Sequence, residues 1–224
     1  MTTKTVGRTT VTLPQIDPTY LAPVDSLVSA DTVRDFLYEG QDLRSLDLID
    51  GHLQDGRINR LSARTWVIGG TTLSSVEISD CDITSLTWSG AKARRTVFRN
   101  CRLMGAQISD VSFDDVLFED CRLTYAAFDR VRALGPVAFV RCKLEETTFT
   151  GCDLSDAAFR DCVLDRTTFG TGTYHHLDLR GNDLSTIAGT ASIQHTIIDR
   201  AQADQLTHAL LTELKVTFGE DLPR

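Results

Sequence analysis

Large apolar side chains recur at every fifth position through most of the 224 residues of this chain. A period of five fits neither the period of about 3.6 of an amphipathic helix nor the period of about two of a half-buried strand, so the pattern predicts a repeat architecture. The first register of central residues comprises Leu43, Leu48, Leu53, Ile58, Ile68, Leu73, Ile78, Ile83, Phe98, Leu103, Ile108, Phe113, Phe118, Leu123 and Phe128. A second register begins one residue later and comprises Phe139, Leu144, Phe149, Leu154, Phe159, Leu164, Phe169, Tyr174, Leu179 and Leu184.

The two registers meet around Ala133, Leu134, Gly135 and Pro136. Glycine and proline interrupt a regular backbone path, so we expect one extra residue to be looped out here. The residue two places before each centre is small or medium in size, and all six cysteines occupy this phase. We expect these side chains to face the interior beside the large ones, while the remaining, mostly polar residues face solvent.

Several five-residue runs resemble the A(D/N)LXX unit of pentapeptide repeat proteins. They include Cys101-Arg-Leu-Met-Gly, Ala106-Gln-Ile-Ser-Asp and Cys152-Asp-Leu-Ser-Asp, and the resemblance covers residues 41–200. It implies an all-β fold, a right-handed quadrilateral β-helix in which four repeats make one coil. Positions four repeats apart then stack on one another, and the repeat region is long enough for about eight coils.

Stacking of this kind would place Cys81, Cys101, Cys121, Cys142 and Cys162 in one column. A second column carries aromatic rings through the core and comprises Ile58, Ile78, Phe98, Phe118, Phe139 and Phe159. A solenoid buries a continuous core by neighbour stacking, so we expect no cofactor, metal or disulfide. Free, buried thiols fit a protein of the reducing cytoplasm.

The two ends of the chain do not follow the repeat. Residues 1–40 predict an extended arm followed by a short helix, which Asp31 caps and Gly40 ends. Val33, Phe36 and Leu37 would pack against the first coil and hide its open strand edge. The arm has no signal-peptide pattern, and the sequence has no apolar run long enough for a membrane span, so we expect a cytoplasmic protein.

Residues 201–224 predict a helix followed by a short strand at Val216 and Phe218. This segment resembles the C-terminal helix and strand through which several pentapeptide repeat proteins dimerise end to end. The residues expected at such an interface are Leu206, Leu210, Leu211 and Leu214. A monomer in which the helix only covers the last coil is the alternative.

The chain carries a net charge of −8. Pentapeptide repeat proteins of the quinolone-resistance and albicidin-resistance groups resemble DNA in width and charge and bind DNA gyrase where DNA would lie. The resemblance implies a similar role for one acidic coil, which comprises Asp110, Asp114, Asp115, Glu119 and Asp120. Stacking places Arg94 over Asp114, Arg95 over Asp115 and Arg99 over Glu119, while Arg130 follows Asp110 and Arg141 follows Asp120. Such pairs would cancel much of the acidic field.

An apolar column one residue before the Phe column offers a different partner site. Its members are Val97, Leu117, Ala138 and Ala158, which we expect to point outward. A monomer rarely leaves a contiguous apolar strip bare, so the column suggests a scaffold that binds a partner other than a topoisomerase. Isolated exposed aliphatic residues partly covered by arginine stems are the simpler explanation.

The sequence offers no catalytic constellation. His175 and His176 are adjacent, but neighbouring strand residues point in different directions, and no zinc site is expected. The cations around Arg94 face acidic stacking partners and lack interleaved aromatic residues, so direct nucleic-acid binding is not expected either. The sequence therefore predicts a non-enzymatic, protein-binding solenoid.

Overall fold

The computed structural model describes residues 2–27 and 31–219. Its strands, in chain order, are β1 Thr3–Val6, β2 Thr9–Thr12, β3 Ala22–Pro23, β4 Thr32–Arg34, β5 Phe36–Glu39, β6 Asp42–Ile49, β7 His52–Asn59, β8 Ser62–Gly69, β9 Thr72–Ser79, β10 Asp82–Ser89, β11 Lys92–Arg99, β12 Gln107–Ser109, β13 Ser112–Glu119, β14 Ala127–Asp129, β15 Arg132–Ala133, β16 Val137–Val140, β17 Thr148–Thr150, β18 Cys152–Asp153, β19 Ala158–Arg160, β20 Thr168–Phe169 and β21 Gly172–Thr173. A 3₁₀ turn at Arg200–Gln202 leads into helix α1, Ala203–Glu213.

Two sheets of parallel strands form the walls of a β-solenoid of about 7 turns. One sheet has the order β20-β17-β14-β12-β10-β8-β6, and the other follows β21-β18-β15-β13-β11-β9-β7-β5-β3, with β16 joining β13 to β19. Strands β6 to β11 and β13 each bend at a corner and so supply two sides of a coil. Corner residues such as Asp55 and Asp115 have a left-handed φ, 53° and 57°, which aspartate tolerates better than most residues because its side chain bonds locally.

The predicted stacking columns are confirmed. Phe98 pairs with Phe118, Phe118 with Phe139 and Phe139 with Phe159 in parallel register. Successive ring centroids in this column lie 4.8, 4.9 and 4.6 Å apart. A second ladder at Phe128, Phe149 and Phe169 meets the first edge-on, so aromatic rings fill much of the interior.

The cysteines hydrogen-bond to the coil wall. Cys101 Sγ donates to the carbonyls of Arg99 (3.3 Å) and Ile78 (3.6 Å), and the other five cysteines repeat this pattern. Thr147 places its hydroxyl in the same position and donates to the carbonyl of Leu123 at 2.7 Å. All six thiols are free and buried, and burial raises the pKa of Cys152 to about 11. A small donor at this position therefore fits beneath the neighbouring strand and bonds to backbone carbonyl groups.

The register slip occurs where the sequence predicts it. Val137 pairs with Val116, a step one residue longer than the 20 residues between paired strands of the preceding coils. Leu134 is looped out and 69% exposed. The amides of Leu134 and Gly135 both donate to the carbonyl of Phe113, which holds the bulge against the preceding coil.

The predicted N-terminal helix is wrong. Residues 32–39 form strands β4 and β5 and make a first coil on β7, in which Val33 pairs with Leu53 and Leu37 pairs with Arg57. Asp31 caps no helix, because its carbonyl accepts the amide of His52 at 2.9 Å. Phe36 is fully buried in this coil and occupies the space that a side chain at Gly56 would take.

The first part of the C-terminal segment, the 3₁₀ turn and helix α1, covers the end of the solenoid. Leu206 of α1 packs against the core, and Gln202 donates from its side chain to the carbonyls of Leu179 and Asn182. The predicted strand at Val216 and Phe218 is wrong, since neither residue is in a strand. Neither helical segment of the described residues has the length and apolar character that a membrane span needs.

Candidate functional site

An N-terminal hairpin, residues 3–12, lies lengthwise on one side of the solenoid. Strands β1 and β2 pair antiparallel around a two-residue loop in which Gly7 has a φ of 61°. A positive φ at the first loop position is what a type II′ turn requires, and glycine adopts it without strain. The Thr12 amide donates to Asp115 (2.7 Å), whereas the Thr9 hydroxyl donates to the Asp156 carbonyl (2.6 Å) two coils further on. The hairpin strands therefore cross the solenoid strands.

The hairpin covers the apolar column. Val97, Leu117, Ala138 and Ala158 are 2%, 0%, 0% and 1% exposed. They form one cluster with Val140 of the solenoid and with Val6, Val11 and Leu13 of the N-terminal segment. The expected exposure of this column is therefore wrong, because the apolar side of the hairpin removes it from water. The segment that covers the column is the N-terminal hairpin of the same chain.

Glu119 is the charged anchor of the hairpin. Its carboxylate accepts hydrogen bonds from Lys4 of β1, from Arg99 (3.2 Å) and from Arg141 (2.7 Å). The Glu119 residue is only 7% exposed. Burial by itself raises the pKa of this carboxyl, but the hydrogen bonds from Lys4, Arg141 and Arg99 outweigh it and lower the pKa to about 2.

The rest of the acidic coil is paired largely as the stacking predicts. Arg94 contacts Asp114 at 3.1 Å, Arg130 contacts Asp110 at 2.8 Å and Arg141 contacts Asp120 at 2.7 Å. The predicted pair of Arg95 with Asp115 is wrong. Asp115 accepts the backbone amide of Thr12, and the buried Nε of Arg95 has no hydrogen-bond partner.

These contacts divide the acidic coil into two groups. Asp115 and Glu119 hold the hairpin. The side chains of Asp110, Asp114 and Asp120 are 53%, 40% and 43% exposed and can face another molecule, each with an arginine attached. The structure therefore brings together five carboxylates, of which two contact the hairpin and three do not.

Sequence reasoning missed the hairpin and with it Lys4. A signal for it was present, since two β-branched runs, residues 3–6 and 9–12, flank Gly7 and Arg8. Within residues 2–27 and 31–219 no group of three or more His, Cys, Asp or Glu side chains could hold a metal ion. His176 contacts Asp156 at 3.3 Å, and His175 stacks on His195 with ring centroids 5.0 Å apart.

Family models match the repeat region. The model described as "Pentapeptide repeat region" matches residues 111–188, and the model described as "Pentapeptide repeats (8 copies)" matches residues 89–120. The chain is a pentapeptide repeat protein. A search of curated protein sequences gives no significant match.

Solved pentapeptide repeat structures share low identity with this chain. A trypsin-treated form of QnrB1, a plasmid-mediated fluoroquinolone resistance protein, is 15% identical with a TM-score of 0.45 and covers 86% of this chain and 97% of its own. Full-length QnrB1 is 16% identical with a TM-score of 0.36, and the match covers 77% of this chain and 99% of QnrB1. HetL is a pentapeptide repeat protein involved in heterocyst differentiation regulation from the cyanobacterium Nostoc sp. strain PCC 7120. It is 11% identical with a TM-score of 0.33, and the match covers 75% of this chain and 87% of HetL. TM-scores this low give these structures no weight for function.

Proposed function

We propose that this pentapeptide repeat protein is a non-enzymatic protein that acts by binding another protein. The observation that carries the proposal is the filled interior. Stacked rings, from Phe98 to Phe159, and buried cysteines occupy the inside of the coils, so only the outer faces are available to other molecules. Function in such a protein depends on the side chains that its faces present.

DNA gyrase is the specific partner that we propose to test first. The resemblance to the quinolone-resistance and albicidin-resistance groups and the net charge of −8 support it. In this proposal Asp110, Asp114 and Asp120 contact the surface of gyrase that binds DNA, because their carboxylates are accessible. Asp115 and Glu119 contribute only indirectly, by fixing the hairpin.

Gyrase supercoiling, measured with and without a fluoroquinolone across a titration of the protein, tests this partner. We expect inhibition or protection by the native protein and its loss in the triple variant Asp110→Asn, Asp114→Asn, Asp120→Asn. The triple variant Asp25→Asn, Asp161→Asn, Asp204→Asn changes the net charge equally at other exposed sites and should keep the effect. No effect of the native protein at about 50 μM, which would saturate a contact with a micromolar Kd, rejects gyrase as the partner.

The C-terminal segment supports a homodimer as part of the proposal. Leu206 faces the core, while Leu210 and Leu211 are half-buried. Leu214, Val216 and Phe218 are 63%, 43% and 53% exposed at the end of the rod. Three exposed apolar side chains in five residues favour a contact with a second copy. We place the protein in the cytoplasm, where its free thiols would stay reduced.

A further inference from the structure

One side of the solenoid carries a positive charge that its neighbours do not cancel. We call it the basic face, defined as the outward side chains that flank Leu43, Ala63, Ile83, Leu103, Leu123 and Leu144. Its cations are all exposed and comprise Arg44, Arg64, Arg102, Arg122 and Lys143. The acidic residues on the same stretch are Asp42, Asp82 and Glu145, so its cations outnumber its carboxylates by five to three. The face is thus locally basic in a chain with a net charge of −8.

The cations on the basic face stack on one another. Arg102, Arg122 and Lys143 are successive partners in parallel bridges, at the strand spacing of about 4.8 Å. Arg44 and Arg64 lie side by side between the pairs Leu43 with Ala63 and Ser45 with Thr65.

Most of these cations are not neutralised. Arg102 contacts Asp82 at 3.3 Å. Among the described residues, the charged groups of Arg44, Arg64, Arg122 and Lys143 have no carboxylate within 4.0 Å. Like charges directly opposite each other on adjacent strands destabilise a sheet. Elsewhere on the solenoid, as at Arg94 and Asp114, opposite charges stack instead.

Exposed apolar side chains accompany these cations. Met104 is 42% exposed and follows Leu103, and Val163 is 45% exposed and follows Lys143 in the same bridge column. Tyr125 is 56% exposed at the adjoining corner. An open depression of about 670 Å³ lies over the first coils of this face and is lined by Arg44 and Arg64 together with Asp42 and Asp82. Tyrosine, methionine and arginine are the residues that protein interfaces enrich.

We propose that the basic face is a docking surface for a protein partner that presents carboxylates around exposed apolar side chains. The inference rests on the proposed protein-binding function and adds the chemistry of the partner. Charge complementarity selects an acidic surface, because the partner's carboxylates would relieve the repulsion between Arg122 and Lys143. Met104 and Val163 favour a protein over a nucleic acid, since a phosphate backbone gains nothing from aliphatic contacts and the face lacks a series of stacking aromatics.

Binding of a synthetic probe tests the docking surface. The probe is a fluorescein-labelled twelve-residue peptide of alternating Glu and Leu, and its anisotropy is measured with the full chain at low salt and at increasing salt. We expect binding by the native protein and a loss of roughly tenfold or more in affinity in Arg122→Glu, Lys143→Glu, with weakening as salt rises. The matched variant Lys92→Glu, Arg132→Glu reverses two exposed cations on another face and should bind within about twofold of the native protein.

A third variant separates the apolar contribution from charge. Met104→Ser should weaken peptide binding severalfold without changing its dependence on salt. Absence of binding by the native protein, or an equal loss in the Lys92→Glu, Arg132→Glu variant, overturns the docking surface. Tighter binding of a DNA duplex than of the peptide also overturns it, in favour of a nucleic acid.

The gyrase assay with the same variants keeps the two proposals apart. A gyrase effect that persists in Arg122→Glu, Lys143→Glu, together with no peptide binding by the native protein, rejects the basic face alone. Peptide binding without any gyrase effect rejects gyrase alone, because Asp110, Asp114 and Asp120 lie outside the basic face.

Discussion

The ammonium group of Lys4 donates a hydrogen bond to the carboxylate of Glu119, 115 residues later in the chain. Near this contact Val6 and Val11 of the hairpin form one apolar cluster with Leu117 and Ala138, so charge pairing and apolar burial act together. Glu119 also accepts from Arg99 and so joins the hairpin to the arginine and carboxylate pairs of the coils.

Replacing the anchor carboxylate should release the hairpin. In Glu119→Gln, three cations lose a nearly buried counter-charge, and we expect the free energy of unfolding to fall by about 2 kcal/mol, between the values for exposed and buried ion pairs. Hydrogen exchange of the amides of residues 3–12 should speed up. Asp114→Asn removes an exposed ion pair and should cost less than about 1 kcal/mol. Unchanged exchange in Glu119→Gln would show that apolar contacts alone hold the hairpin.

The lowered pKa of the same carboxylate predicts that the free energy of unfolding depends on pH in the acid range. The pKa of Glu119 is about 2 in the folded chain, against an ordinary value of 4.5. Because the folded pKa is depressed, its stabilising contribution is complete above 4.5 and is lost as the pH falls towards 2. Urea unfolding at roughly pH 6, 4 and 3 should show the native protein losing its advantage over Glu119→Gln in that window. A difference that stays constant over this range would contradict the assignment.

A charge in the apolar column should destabilise the protein strongly. Leu117 is 0% exposed beneath the hairpin, so Leu117→Asp buries a carboxylate without a partner and should cost about 4 kcal/mol or more. Thr87→Asp places the same group at an exposed strand position and should change stability by less than about 0.5 kcal/mol. Thermal unfolding of both variants measures the contrast. Equal melting temperatures would mean that the hairpin does not cover Leu117 in solution.

Deleting Leu134 should be tolerated. The residue is looped out, and its removal restores the ordinary step between Val116 and Val137 without moving any core side chain to the other side of a strand. We expect the variant to fold, with a free energy of unfolding that changes by less than about 1 kcal/mol. Unfolding monitored by circular dichroism measures this change. Deleting Gln107 from β12 is the comparison, because it shifts the register of a regular strand and should prevent folding. Equal damage from both deletions would refute a specific role of the bulge.

The proposed C-terminal contact predicts that the protein has the mass of a dimer in solution. Sedimentation of the native protein should give a dimer, and Leu214→Ser with Phe218→Ser should give a monomer whose solenoid melts at an unchanged temperature. Both side chains are more than half exposed, so their loss costs the monomer little. Thr212→Ser, an exposed change in the same helix, should leave the dimer intact. A native protein that sediments as a monomer at every concentration rejects the interface.

The coil could be predicted from sequence because each core side chain repeats at a fixed distance. Phe98, Phe118 and Phe139 occupy one phase, and the extra residue at Leu134 explains the one step that differs. The first coil was missed, although Val33 and Tyr38 continue the period of five and pair with the register residues Leu53 and Ile58. The spacing of Val33, Phe36 and Leu37 also suits one face of a helix, and this second pattern led to the wrong prediction.

The candidate site was harder to predict because its two halves are far apart in sequence. The spacing of Val97, Leu117 and Ala138 correctly places them outside the ring core. Nothing in that spacing says what covers them, since the hairpin follows a period of two and lies across the coils. Glu119 was predicted to stack with Arg99, but its third cation, Lys4, comes from outside the repeats.

In a solenoid each coil contacts only its neighbours, so coils can fray one at a time. The hairpin changes this for the middle coils, because β2 contacts β13 and β16 while β1 contacts β19. It also sets an order of assembly during synthesis. The hairpin is made before the coils, yet the surface that it covers is complete only after Ala158 has been made, so its docking must follow the synthesis of the middle coils.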